Sequence, residues 1–132
     1  RVAVIGSRSI KIKNLEHFLP DDTTEIISGG ATGVDTSARE YALINGLKFK
    51  EFLPDYSRYG RAAPLKRNIT IIENSDLVLA FWDGISHGTK YVIEQCKKRN
   101  IPVKVIMIKN AFKNKAVAGR REKGRGAFAA AG

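Results

Sequence analysis

One cysteine, Cys96, stands among 132 residues, so the chain can close no internal disulfide. A lone thiol fits a reducing compartment, and a cytoplasmic location is expected. No run of about 18 apolar residues occurs, so no membrane-spanning helix is expected. No signal-peptide pattern opens the chain, and Arg1 stands where a Met would, so a few residues are expected to precede it. His87 has no partners at metal-ligand spacing; no metal site is expected, and His17 reads as a surface residue. Nothing in the pattern calls for a cofactor. Acids are also scarce: 13 Asp and Glu stand against 23 Lys and Arg, a formal net charge of +10.

A charge of that size suggests nucleic acid, but its location weakens the suggestion. Seven of the bases and one acid fall in "KNAFKNKAVAGRREKGRGAFAAAG", Lys109 to Gly132. That leaves 16 bases against 12 acids in the first 108 residues. The tail is rich in Ala, Gly and Lys/Arg and has little to bury. It reads as a disordered basic tail, a cloning or frameshift remnant, or a nucleic-acid-binding arm. Residues 1–108 suffice for one domain with a real core.

Strand and helix patterns alternate along that domain. Val2–Ile5, Glu25–Ile27, Phe49–Leu53, Leu77–Phe81 and Pro102–Ile108 read as strands, the fourth of buried type. Val34–Asn45, Leu65–Glu73 and Thr89–Arg99 read as helices, with Gly46 as a C-terminal cap of the first. Val34, Ala38, Tyr41 and Ala42 share a stripe, as do Val92, Ile93 and Cys96, while Ile69 and Ile72 face inward. Lys11–Leu19 reads as a short helix through Ile12, Leu15 and Leu19, and "DYSRYGRAAP" as a loop. The alternation predicts an α/β, Rossmann-like three-layer sandwich with a five-stranded, mostly parallel sheet. The expected order is 3-2-1-4-5, which sets the ends of strands one and four side by side at the switch point.

Three special loops then share one sheet edge: Gly6-Ser7-Arg8, Gly29–Asp35 and Trp82–Thr89. "SGGATGVD" is a strand-to-helix turn whose glycines let a backbone approach a ligand. The helix that follows offers free amides to an anion. It is neither a dinucleotide GxGxxG nor a Walker A loop, which would need a Lys after the last glycine. Asp35 either caps the helix or contacts a ligand. "WDGISHGT" repeats the logic with Gly84, Gly88 and Thr89, and Trp82 either stacks on a base or covers the sheet end. "RYGRAAPLKRN" brings Arg58, Arg61, Lys66 and Arg67 together with Tyr59, after Tyr56; arginine forks suit phosphate and tyrosines suit bases. Cys96 lies on an apolar stripe and reads as core, with no Cys/His nucleophile pair in view.

"SGGATGVDTSAREYAL" resembles the glycine signature of the SLOG superfamily, and the resemblance runs from Val2 to Ile108. That group joins the Lonely Guy phosphoribohydrolases, the Rossmann domain of DNA-processing protein A and small bacterial proteins without an assigned role. "RYGRAAPLKRN" followed by "SDLVLAFWDGISHGT" is most similar to the last of these. The resemblance implies a nucleotide site, and a homodimer, since the related hydrolases pair through helices. In the hydrolase branch a catalytic arginine stands nine residues before a strand-four aspartate, as Arg67 stands before Asp76. That branch then carries a Pro-Gly-Gly-x-Gly-Thr-x-x-Glu turn whose glutamate acts on the N-glycosidic bond. This chain keeps Gly88-Thr89, has Trp82-Asp83 in place of Pro-Gly in a longer turn, and has Val92 where the glutamate would stand.

Three functions follow as expectations. The first is a sensor or carrier of a nucleotide-derived ligand. Gly29, Gly30, Gly33, Gly88 and Thr89 hold phosphate through backbone N–H groups; Arg8 and Arg67 neutralise it; Asn68, Trp82 or Tyr59 meets ribose or base; Gly6 and Ser7 join the ligand site. The second is a nucleoside-monophosphate N-glycosidase using Arg67 and a relocated carboxylate, Asp83 or Asp35, with Glu94 on another helix face. The third is a single-stranded DNA binder, by analogy alone.

Overall fold

Five short runs rich in Val, Ile and Phe form the sheet: β1 (Val2–Gly6), β2 (Glu25–Ser28), β3 (Lys48–Glu51), β4 (Leu77–Trp82) and β5 (Val103–Met107). The structure is a computed structural model and describes residues 1–7, 10–29 and 33–108. Arg8, Gly30 and the basic tail, all singled out in the sequence, lie outside the described residues. Every strand pair is parallel, in the order β3-β2-β1-β4-β5. The expected architecture therefore holds, with a sheet that is parallel throughout.

Side chains alternate between the two faces of a strand, and the alternation splits the core in two. Val2 and Val4 of β1, Ile26 of β2 and Leu79 and Phe81 of β4 join Val34, Ala38 and Ala42 of α1 (Val34–Ile44). Ala3, Ile27 and Val78 face the other way, onto Ile71 and Ile72 of α3 (Ala63–Glu73) and Val92 and Cys96 of α4 (His87–Lys98). A short helix, α2 (Tyr56–Tyr59), precedes α3. Helices thus cover both faces. Among the described residues no helix is long and apolar enough to cross a membrane.

Local signals close the helices. Gly46, at φ +66°, ends α1: its amide bonds Leu43 O at 3.4 Å and that of Leu47 bonds Ala42 O at 2.9 Å. Gly46 is thus the expected C-terminal cap, and the paired closure is a Schellman motif. Asn100, at φ 57°, closes α4 in the same way.

Three local expectations are corrected. Lys11–Leu19 is not a helix; only Leu15–His17 makes a single 3₁₀ turn. The Ile12 amide is held by the Ser37 hydroxyl of α1 at 3.0 Å, and Ile10 and Leu15 pack into the α1-side core. Tertiary contacts, not helical period, produce the apolar spacing there. "DYSRYGRAAP" is not one loop: it holds α2, a 3₁₀ turn at Gly60–Ala62 and the start of α3. Asp55 caps α2, its Oδ1 accepting from the Arg58 amide at 3.2 Å and the Ser57 hydroxyl at 2.8 Å. On α3 the buried pair is Ile71 and Ile72, while Ile69 is only half-buried.

Candidate functional site

The order of strands reverses between β1 and β4, and in open parallel sheets ligands bind outside the carboxyl ends at such a point. A cavity of about 500 Å³ opens there. Its floor comes from the ends of β1 and β2 (Gly6, Ser7, Ser28, Gly29), one wall from α3 and the other from the β4–α4 loop and the start of α4. Of the residues expected at the site, Gly6, Ser7, Gly29, Arg67, Asn68, Asp83, Gly88 and Thr89 line this cavity. Gly33, Asp35 and Trp82 do not.

Arg67 dominates the α3 wall. Its Nη1 donates to the Gly29 carbonyl, and its Nε donates to Asn68 Oδ1 at 2.8 Å. The guanidinium is half-buried and makes no ion pair among the described residues. Burial lowers its pKa, with Tyr56 and Asp35 acting in the opposite direction; an arginine remains charged in any case. Because Asn68 accepts through Oδ1, its amide NH₂ is left to donate. Gly29 leaves room for this arrangement: a Cβ there would stand 3.0 Å from Arg67 Nη1 and 3.1 Å from Ile71 Cδ1.

Facing Arg67 is the start of α4. The N-cap residue Ser86 makes no side-chain cap bond, and the amides of His87, Gly88 and Thr89 have no protein acceptor among the described residues. The first turn of a helix therefore presents its orphan donors and its positive dipole end. Thr89 is 6% exposed and Ser28 1% exposed, yet neither hydroxyl has a hydrogen-bond partner among the described residues. Both residues line the cavity, so these hydroxyls are available to a molecule within it. A Cβ on Gly88 would meet nothing within 4 Å, so the space beside it is open.

The acids near the site are occupied. Asp83 Oδ1 accepts from the Ile85 and Ser86 amides, each at 2.8 Å, and Oδ2 from the Ser86 hydroxyl at 3.0 Å. Burial pushes its pKa up, but these bonds and one from Ser7 outweigh it, and the net shift is downward. Asp83 is an ionised brace of the loop, not a proton donor. Asp35 is bonded to Arg39 at 3.0 Å, and Arg39 also holds Glu51 at 3.0 Å. The hydrogen bond with Asp35, then burial, push the Glu51 pKa up. Glu94 is exposed, on the face of α4 away from the core. Val92, 2% exposed, lines the cavity while packed with Ile71, Ile72 and Cys96. Burial raises the Cys96 thiol to about 11, which leaves it inert at neutral pH.

Trp82 and Gly33 both make contacts within the fold. The Trp82 indole N–H donates to the Ser86 carbonyl at 2.9 Å, so the ring covers the β4–α4 loop. Gly33 has φ +90°, and a Cβ there would stand 2.5 Å from the Ile10 carbonyl oxygen. Its bareness is required by the packing of residue 10 over the start of α1. The hydroxyl-bearing Ser28 and Ser86 were not singled out from the sequence. The available signal for Ser28 was a polar residue ending an otherwise apolar buried strand. Among the described residues, no group of three or more His, Cys, Asp or Glu is placed to hold a metal ion. Comparison with family models, curated proteins and solved structures found no match.

Proposed function

We propose that the chain binds a nucleotide or nucleotide-derived phosphorylated ligand in the cavity between α3 and α4, and holds it without hydrolysis. The observation that carries this is the convergence of hydrogen-bond donors from the two facing walls, while the one carboxylate of the lining, Asp83, is engaged by the Ile85 and Ser86 amides and the Ser86 hydroxyl. Arg67 has no ion pair, Asn68 presents its NH₂, and the α4 amides lack acceptors among the described residues. Converging donors and a half-buried cation favour an anion, and a phosphate supplies several acceptor oxygens. The glycine signature that resembles the SLOG superfamily supports the same ligand class.

Hydrolysis of an N-glycosidic bond needs a carboxylate within reach of the reacting atoms. Val92 stands at the cavity position where the hydrolase branch has a glutamate, Asp83 has both oxygens engaged, and Glu94 faces away. A thermal-shift screen of nucleoside 5′-monophosphates, run beside chromatography for released base, tests both parts. At about 100 times Kd a ligand adds roughly 2.7 kcal/mol of stability. For a domain of this size that raises the melting temperature by roughly 10 °C or more. We expect such a shift for at least one monophosphate, with no base released over hours. Turnover at about 1 s⁻¹ or faster, the low end of typical enzymes, would overturn the non-hydrolytic reading.

A further inference from the structure

The first cavity has no Phe, Tyr or Trp on its walls. Besides the His87 imidazole and the engaged Asp83 carboxylate, it offers donors, hydroxyls and aliphatic groups. A second cavity of about 560 Å³ lies beside it, and Leu65 and Arg67 line both. There the basic side chains Lys66, Arg67 and Arg99 stand together with aromatic ones. Phe52, Tyr59 and Tyr91 line the second cavity, and its one acid, Asp55, is spent on capping α2.

Exposure singles out the same region. Seven large hydrophobic side chains are exposed among the described residues, and five of them (Leu53, Tyr56, Tyr59, Leu65 and Ile85) follow the carboxyl ends of β3 and β4. Three of those five line the second cavity. A cluster of exposed apolar groups at a cavity mouth marks a binding surface, and each cavity has the volume of an ordinary small-molecule site. The Tyr59 ring also carries cations over it, Arg58 at 5.3 Å and Lys66 at 5.8 Å. This combination of aromatic faces and basic groups suits an electron-rich planar ring attached to a phosphate.

We infer that the second cavity is the base subsite of the ligand: the phosphate sits between Arg67 and the start of α4, the sugar crosses at Leu65 and Arg67, and the base lies against Tyr59 and Tyr91. This inference rests on the phosphate reading above and divides one ligand between two adjoining cavities, of which the second carries the Phe and Tyr side chains. The ligand class is then a nucleotide, and not a sugar phosphate alone.

Calorimetric titrations with ribose 5-phosphate and with the adenine, guanine, cytosine and uracil 5′-monophosphates test the division. Tyr59→Ala and Tyr91→Ala should each weaken the tightest-binding monophosphate by about 5- to 150-fold, the range for a lost base–aromatic contact. Ribose 5-phosphate should bind these variants as it binds the parent, whereas Arg67→Ala should weaken both compounds. In the parent protein, nuclear Overhauser contacts from base protons to the Tyr59 and Tyr91 rings are expected, which keeps the test valid if a tyrosine variant fails to fold. Unchanged monophosphate affinity in folded tyrosine variants, or base contacts only to residues of the first cavity, would overturn the base subsite and leave the phosphate site standing. Absence of binding by every phosphorylated compound would remove the phosphate reading itself, and the subsite with it.

Discussion

Arg67→Ala should weaken binding of a phosphorylated ligand by about 10- to 150-fold and leave the protein folded. A charge-assisted hydrogen bond contributes about 1.5–3 kcal/mol, which converts to that factor. The fold is expected to survive because α3 is anchored by Ile71 and Ile72, 1% and 0% exposed, not by the arginine. Removing the side chain frees the Gly29 carbonyl and Asn68 Oδ1, but both face the cavity, where water can replace the guanidinium. Arg67→Lys should recover part of the affinity, since the charge returns without the planar fork that bonds Gly29 and Asn68 together. Calorimetry measures the affinity and thermal denaturation the fold. Parent-like affinity in a folded alanine variant would remove Arg67 from the site.

Gly33→Ala should be among the most destabilising single-methyl changes in the chain, at about 2–6 kcal/mol. Two effects combine. The backbone stands at φ +90° and ψ −78°, a region that side chains other than glycine occupy at about 1–3 kcal/mol. The new Cβ would also stand 2.5 Å from the Ile10 carbonyl oxygen and 3.1 Å from the Ile10 carbonyl carbon and amide nitrogen. These are backbone atoms, which cannot swing aside as a side chain would, and overpacking adds about 1–3 kcal/mol. The melting temperature should fall by roughly 10 °C or more. Gly88→Ala is the matched control: nothing lies within 4 Å of its Cβ, so stability should hardly change. A Gly33→Ala variant as stable as the parent would mean that residue 10 does not pack over the start of α1 as described.

The strand order was legible because buried parallel strands are written as apolar runs and the connections between them as amphipathic helices. Val2–Ile5 and Leu77–Phe81 could hardly be anything else, and once they are adjacent the switch point follows. The site was legible in part for the same reason. Gly6, Ser7 and Gly29 end strands, Gly88 and Thr89 begin a helix, and the topology alone brings them together. Polar partnerships were not legible. Trp82 gives its N–H to Ser86, and Asp35 is bonded to Arg39 one turn away, through bonds that no periodicity encodes. The face of α3 was also ambiguous, because Ile69, Ile71 and Ile72 lie close together and burial of Ile71 depends on where Gly29 and α4 stand. Gly33 shows a further limit: the sequence marks a residue without a side chain but not whether a ligand or the protein itself fills the space.

The account turns on one claim, that the uncapped start of α4 and Arg67 together hold the phosphate of the ligand. Amide-resolved NMR titration tests it directly, with the tightest-binding nucleoside 5′-monophosphate and with the same nucleoside lacking phosphate. The monophosphate should move the amide signals of His87, Gly88 and Thr89 and the side-chain signal of Asn68 more than those of any other helix start. The nucleoside should leave the three amides in place. Equal shifts from both compounds, or monophosphate binding that leaves His87, Gly88 and Thr89 unmoved, would contradict it.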